Sequence, residues 1–469
     1  MRIQFIFPPY THKKFEEDID IVSREFGLFP PLGLAFAAAI AREHGHTVDI
    51  IDARALKLSQ QETLERLKAF KPDMLGFMLT AYMFHDTLDW IKFFKQQTGI
   101  PIVVGNVLME LYPREVMAYD AIDYGIIGSA QKAFPQLLTA LEQSKSLSNI
   151  KGLCFRDKGR CVINPPDDLS EDFAALPFPA RDLLPNERYH AVMSKRRNMT
   201  IMVTSRGCPY QCSFCSIAKI GYTCRTPVMV VKEMVECYEK YNIREIEIFD
   251  PTFNVNKQRV VDICNGIIES GIDIDWACRA RVDKMDEQML RLMRQAGCKR
   301  ILYGIESGDQ EMLNRVNKGI TLKQIRRAID LTRKHKIKTL GFFLLGAPEE
   351  TAASMRKTID FSKKLKLDYA QFHQTVPKPQ TYLYEQVMEK TNRDLWKEYI
   401  QGSFPETRMP AVWTDLSQKL VEQYAIIAYC KFYFRIGYLL KTLISIKSFN
   451  ELNRYIRSFF GVLFSKKDC

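Results

Sequence analysis

The chain has no stretch of about 18 or more uncharged apolar residues, so it offers no candidate for a membrane-spanning helix. The apolar run near its amino terminus, Ile3 to Phe7 interrupted by Gln4, is too short for a secretory signal and reads as a strand. Its twelve cysteines are spread over 469 residues and form no disulfide framework. Most stand alone in apolar surroundings, as expected of reduced thiols in a cytoplasmic protein. None precedes Cys154. The net charge of +12 comes with no base-stacking module or nucleic-acid motif, so nucleic acid is not an expected partner.

What remains is a globular composition, 46% hydrophobic and 26% charged, in a chain long enough for two or three domains. Residues 1–145 alternate apolar strands ("RIQFIF", "TVDIIDA", "DMLGFMLTA", "PIVVGN", "AIDYGIIGS") with amphipathic helices. That alternation predicts a doubly wound, Rossmann-like parallel sheet covered on both faces. Such domains bind ligands beyond the carboxyl ends of their strands. Residues 146–195 read as a linker, with a small hairpin at "GLCFRDKGRCVINPP" and a Pro-rich stretch after it. Strand–helix units resume over 196–385 and predict a partial (β/α)6 barrel of TIM type, its site on the loops after the strands. Residues 386–469 read as a basic, aromatic, helical region. The fold class is thus α/β, a doubly wound domain followed by a half-open barrel.

After the first barrel strand, "RGCPYQCSFCSIAKIG" places Cys208, Cys212 and Cys215 in one short loop. A structural zinc site wants four protein ligands, and the next cysteine, Cys224, lies nine residues on. Three thiolates in one loop instead suit a 4Fe–4S cluster with one iron left open for a ligand.

This loop, with Phe214 just before its third cysteine, resembles the signature of the radical SAM superfamily. "ALPFPARDLLP", "GCKRILYGIESG" and "LGAPEET" extend the resemblance to enzymes that carry a cobalamin-binding domain before a radical SAM barrel, including anaerobic porphyrin cyclases and hopanoid-modifying enzymes. The resemblance implies that Cys208, Cys212 and Cys215 ligate three irons and that S-adenosylmethionine takes the fourth. Electron transfer from the reduced cluster, from a donor such as flavodoxin or ferredoxin, then yields a 5′-deoxyadenosyl radical. It also implies cofactor contacts for several residues of the barrel loops. Asp250 would accept from the methionyl ammonium, or else serve as a turn residue. Arg279 would pair with the methionyl carboxylate, or else form an ordinary ion pair; Arg281 lies two residues on, on the same side of the strand. Glu306 would contact cofactor or substrate, or else be a structural carboxylate, with Gly304 and Gly308 permitting close backbone approach. Gly346 would let the adenine lie against the backbone, or else form a tight turn.

For the amino-terminal domain the resemblance implies cobalamin held by Pro31 and Gly33, Thr80, Gly105 and Asn106, and Gly128. The Asp-x-His-x-x-Gly motif that supplies a histidine to cobalt is absent, and His12, His44 and His46 lack its context. Gly105-Asn106-Val107-Leu108 stands where relatives usually show Gly-Gly-x-His, and Gly128-Ser129-Ala130-Gln131 where they show Gly-Glu-Gly-Glu. Two readings follow, a cobalamin site without those residues or a vestigial domain that packs on the barrel. The tail from Tyr424 to Ile444, apolar and aromatic with Lys431, Arg435 and Lys441 interspersed, either caps the barrel or touches an anionic membrane surface.

The expected activity is cobalamin-dependent methylation of an unactivated centre in a small-molecule or lipid-like substrate. Radical oxidative cyclisation or rearrangement is the alternative. A methylthiotransferase is disfavoured, because it would need a second cysteine cluster in the cysteine-free amino-terminal domain.

Overall fold

In the computed structural model the described residues are 1–10, 27–166, 173–218, 220–404 and 413–445. The expectations placed on His12 and on the tail beyond residue 445 lie outside them. The chain divides into two compact units. The first gathers the described residues of 1–10, 28–189 and 394–404, and the second Gly27 and those of 190–393 and 413–445.

The first unit is built on strands β1 (Arg2–Phe7), β2 (Thr47–Asp52), β3 (Met74–Met78), β4 (Ile102–Gly105) and β5 (Tyr124–Ile126). They pair in parallel in the order 2-1-3-4-5. Ile3, Ile6, Met74, Leu75, Ile102 and Val104 are almost fully buried, because helices cover both faces and a parallel strand then has no solvent side. These helices are α1 (Leu32–Glu43), α2 (Gln60–Phe70), α3 (Phe84–Thr98) and α4 (Ala130–Glu142). Strand order reverses between β1 and β3, so a crevice opens at the carboxyl edge there.

The expected linker does more than connect. Its hairpin, β6 (Leu153–Asp157) and β7 (Arg160–Ile163), adds two antiparallel strands to the free edge of β5. The Pro-rich stretch packs back on α1: Ala180 N donates to Ala35 O at 3.0 Å, and Arg42 grips Asp182 bidentately at 2.9 and 3.1 Å. Tyr189 Oη donates to the buried Asp52 at 2.8 Å. A segment beyond the barrel, α11 (Leu395–Gln401), also belongs to this unit. Trp396 and Tyr399 are buried, His85 Nε2 lies 2.7 Å from Tyr399 O, and Tyr119 Oη donates to Ile400 O.

The second unit is an open sheet of six parallel strands in sequence order: β8 (Met199–Met202), β9 (Glu245–Ile248), β10 (Asp275–Ala280), β11 (Cys298–Glu306), β12 (Lys338–Leu345) and β13 (Tyr369–Gln374). Between them run α5 (Pro227–Lys240), α6 (Lys257–Ser270), α7 (Glu287–Gln295), α8 (Leu322–Lys334) and α9 (Ala352–Lys364), and α10 (Tyr382–Thr391) follows β13. Alternate residues of each strand, such as Ile246, Ile248, Cys278, Ile301, Tyr303 and Phe343, enter one core with the helices. The opposite residues form a separate inner layer of Ala277, Leu302 and Leu340, with Phe342 and Tyr369 against it.

The inner face also carries charge. Glu245 and Glu247 of β9 meet Arg300 at 3.4 and 3.6 Å, and Arg279 lies 3.5 Å from Glu247. Helix α12 (Gln418–Tyr433) covers the edge strand β13. Tyr433 Oη donates to Ala370 O at 2.7 Å and accepts from Ala370 N, while Tyr429 Oη accepts from Phe372 N at 3.1 Å. The described part of the tail therefore caps the half-barrel, supplying hydroxyls to backbone groups that an edge strand leaves unpaired. No described helix is long and apolar enough to cross a membrane.

Candidate active site

All six loops that follow the barrel strands emerge at the carboxyl edge of the sheet, and the three cysteines lie in the first of them. The loop closes on a two-stranded stem, Ser205 opposite Cys224 and Arg206 opposite Thr223. Cys224 is thus a stem residue. At the neck Gly207 takes φ +73°, and a Cβ there would stand 2.1 Å from Gly221 O. Only glycine fits this backbone. Cys208 N donates to Ile220 O at 3.2 Å across the same neck.

Buried charge fastens the stem to the sheet. Asp250, fully buried at the end of β9, accepts from Thr204 N at 2.6 Å, Ser205 N at 3.0 Å and Thr204 Oγ1 at 2.5 Å. Arg259 donates to Thr204 O and Oγ1 at 2.9 Å and to Arg225 O at 3.1 Å. Arg225 pairs with Glu233 at 2.7 Å, both out of solvent. The Asp250 oxygens hold the base of the cysteine loop. Burial pushes its carboxyl up, and the Thr204 and Ser205 donors oppose that.

The tip of the loop is held by its neighbours. Ser213 N donates to Val316 O at 3.1 Å, Leu383 N to Ser213 O at 3.2 Å, and Asn317 Nδ2 to Gln211 O at 2.7 Å. Tyr210 lies under the Arg281 guanidinium at 3.7 Å. Arg281 donates in turn to Asp283 at 2.9 Å and to Lys318 O at 3.0 Å. Phe214 packs against Met312, Val316 and Ala347, which ties the cysteine loop to the loops after β11 and β12.

Cys212 is buried, Cys208 and Cys215 are partly so, and all three thiols are free. Cys208 Sγ lies 3.6 Å from Thr252 Oγ1. Burial raises Cys212 and Cys215 above the usual thiol range; the Lys318 charge draws both the other way. Among the described residues no three His, Cys, Asp or Glu side chains gather tightly enough for a single ion. Three thiolates that each bind a different iron of a cube need a wider spacing than three around one ion. The donor set, three thiols on one loop and no fourth, therefore fits an iron–sulfur cluster with an open corner.

The remaining barrel residues fall into three groups. Glu306 ends β11 at a register shift, with φ +65°, and its carboxylate takes the Lys318 ammonium at 2.7 Å. Gly304 leaves room for that pair, since a Cβ there would meet Glu306 Oε1 at 2.6 Å and Lys318 Nζ at 2.7 Å and push the pair aside. Gly346, at φ +77°, donates its amide to Glu350 Oε2 at 2.6 Å, and its carbonyl accepts from Trp413 Nε1 at 3.0 Å. Glu350, buried behind this turn, also takes Ala347 N at 3.1 Å, and burial pushes its carboxyl up to about 7. Arg279 stands on the inner face with its guanidinium 4.0 Å over Phe249, paired with Glu247. Burial lowers its pKa and Glu247 opposes the shift.

Lys318 and Glu350 went unnoticed in the sequence. Glu350 stands inside a quoted motif, but only burial distinguishes it from Glu349. Nothing in "NRVNKGIT" marks Lys318 off from the chain's many other lysines.

In the first unit the expected cobalamin residues share the carboxyl edge of the sheet. Pro31 precedes α1, and a Cβ on Gly33 would press Met78 at 2.7 Å. Thr80 lies just past the end of β3, at the N-cap position of a short helical turn. Gly105 is open, with only Ile126 within contact of a Cβ. Asn106 adopts φ +89° and ψ −175°, a backbone region that glycine favours, and its side chain accepts from Val107 N. Gly128, at φ +80°, precedes Ser129, which caps α4. Gly105, Gly128 and the glycine-like backbone of Asn106 leave little side-chain bulk at this edge, which fits a large flat group laid across it. His44 and His46 sit at the opposite edge, in the turn between α1 and β2.

Residues 202–362 match the radical SAM superfamily and residues 20–138 match the B12 binding domain. An uncharacterized methyltransferase of Pyrococcus horikoshii is 32% identical over 476 aligned positions, covering 99% of each chain. The chain belongs to the radical SAM enzymes that carry a cobalamin-binding domain. An anaerobic magnesium-protoporphyrin IX monomethyl ester cyclase of Rubrivivax gelatinosus is 26% identical over 83% of this chain and 70% of its own. The fold also matches OxsB, a cobalamin-dependent S-adenosylmethionine radical enzyme solved with aqua-cobalamin. The TM-score is 0.69 at 17% identity, covering 98% of this chain and 72% of that one. As a radical SAM enzyme of this kind, the chain works with a 4Fe–4S cluster, S-adenosylmethionine and cobalamin.

Proposed function

We propose that this radical SAM enzyme methylates an unactivated carbon or phosphorus centre in a small-molecule or lipid-like substrate. The observation that carries the reading is end-to-end likeness to a relative named a methyltransferase, with both cofactor domains in the same chain. When bound, S-adenosylmethionine on the cluster supplies a 5′-deoxyadenosyl radical, and cobalamin supplies a methyl carrier.

The chain's own residues have distinct tasks in this reading. Cys208, Cys212 and Cys215 hold the cluster. Phe214 packs the cysteine loop onto the loops after β11 and β12, and Asp250 keeps its stem in place. The inner face, with Arg279, Gly304 and Glu306 near the rim, receives S-adenosylmethionine together with Gly346, whose backbone Glu350 fixes from behind. Pro31, Gly33, Thr80, Gly105, Asn106 and Gly128 hold cobalamin. A small acidic electron carrier such as flavodoxin or ferredoxin delivers the electron. Likeness to the magnesium-protoporphyrin cyclase favours oxidative cyclisation as the second reading.

The test is anaerobic reconstitution of the full chain with iron, sulfide and cobalamin, followed by dithionite and methyl-labelled S-adenosylmethionine. Methylation predicts 5′-deoxyadenosine and transfer of label to the protein-bound cobalamin fraction. Formation of 5′-deoxyadenosine with no label on cobalamin supports cyclisation, and absence of both overturns the assignment. Cys208→Ala, Cys212→Ala and Cys215→Ala each lose the visible iron–sulfur absorbance in this reading.

A further inference from the structure

A buried cation beside the cysteine loop is an unexpected one. Lys318 and Glu306 are each at most 10% exposed, and Lys318 Nζ reaches Glu306 Oε1 at 2.7 Å. The same ammonium stands 5.9 Å from the centre of the Phe214 ring, between the second and third cysteines. Its place is fixed from several sides. Lys318 O and Gly319 O accept from Arg281 at 3.0 and 3.5 Å, Val316 O accepts from Ser213 N at 3.1 Å, and Gly304 leaves the space that the pair fills. Glu306 is kept at φ +65° to meet it, a conformation that costs a non-glycine residue free energy and persists only where the surroundings impose it.

We propose that Lys318 is a positioning residue for charge at the iron–sulfur site: its ammonium raises the cluster's reduction potential, and Glu306 partly offsets that effect. The inference rests on the assignment of Cys208, Cys212 and Cys215 as cluster ligands. One electron from the external one-electron donor enters the cluster and adds one negative charge, with no proton transferred. A fixed cation out of solvent stabilises the more negative, reduced form more than the oxidised form. A neighbouring carboxylate does the reverse. The two side chains therefore act with opposite signs, which a purely structural pair would not.

The experiment is a potentiometric titration of the reconstituted full chain, followed by the electron paramagnetic resonance of the reduced cluster, without S-adenosylmethionine. Lys318→Met keeps the aliphatic stem and removes the charge. It is expected to lower the midpoint by the equivalent of about a tenfold loss in the reduced-to-oxidised ratio, about 59 mV for a one-electron couple. Lys318→Arg restores the wild-type value, and Glu306→Gln moves the midpoint upward. Equal midpoints in wild type, Lys318→Met and Glu306→Gln at equal iron content overturn the proposal, as does a Glu306→Gln shift in the same direction as Lys318→Met. If Lys318→Met takes up no cluster, Glu306→Gln decides: an upward shift supports the proposal and an unchanged midpoint overturns it. A wild-type chain that forms no cluster on Cys208, Cys212 and Cys215 would instead overturn the ligand assignment.

Discussion

At the scale of single residues, backbone conformation and burial decide more than side-chain identity. Gly207 has both a left-handed φ and no space for a Cβ, so Gly207→Ala is expected to force open the neck of the cysteine loop. The local cost is about 1–3 kcal/mol. Iron content after reconstitution should fall well below wild type while far-ultraviolet circular dichroism stays unchanged. Glu350 makes a pH prediction. Its carboxyl titrates at about 7 in the folded chain against 4.5 unfolded, because burial disfavours the charge. Between those values the folded chain keeps a proton that the unfolded chain has released. Stability is therefore full at low pH and declines as pH rises toward 7, by roughly 3 kcal/mol in all. Glu350→Gln should abolish that decline, read as urea midpoints of the cluster-free chain at about pH 5 and about pH 8. The cysteine triplet was legible because its spacing is local. The Lys318–Glu306 pair was not, because it depends on a register shift in β11 and on a glycine two residues earlier.

At the scale of elements, the stem of the cysteine loop is a local hairpin that borrows its stability from β9 and α6. Asp250→Ala removes the acceptor of two backbone N–H groups and leaves Arg259 facing Thr204 without its buried counter-charge. Breaking a buried polar unit of this kind costs about 3–5 kcal/mol. Denaturant unfolding should show that loss, and cluster uptake should fall with it. Asp250→Asn, which keeps one acceptor oxygen, should recover part of each. The alternation of strands and helices was readable throughout, since buried parallel strands and amphipathic helices leave strong periodic patterns. The role of "EIFDPTF" was readable only to the level of a strand end carrying a carboxylate. Which groups that carboxylate accepts from depends on a hairpin more than forty residues earlier in the chain. The tail helix α12 shows the same limit. Its aromatic, basic pattern suited either a cap or a membrane surface, and only the placement of Tyr429 and Tyr433 on β13 assigns the described part to the cap.

At the scale of the whole molecule, the expected boundaries follow the chain whereas the compact units do not. Residues 146–189 complete the first unit, and α11 returns to it from beyond the barrel. No local signal reveals this, because Tyr119 and Ile400 are 281 residues apart in sequence. A fragment of residues 1–189 therefore lacks Trp396, Tyr399 and Ile400. It is expected to be less stable by about 3–5 kcal/mol than the same fragment joined through a flexible linker to residues 394–404, the cost of losing a buried tryptophan and its neighbours. Urea unfolding of the two fragments checks this, and equal midpoints would show that α11 adds nothing to the first unit. The return of α11 also bears on how such a chain can be rearranged genetically. A single crossover after codon 189 would pair an amino-terminal domain with another gene's closing helix, so Tyr112, which donates to Asp394 at 3.0 Å, Tyr119 and His85 would meet foreign counterparts of Asp394, Ile400 and Tyr399. Exchange of this domain between relatives requires either two crossovers or a partner whose distant helix already matches.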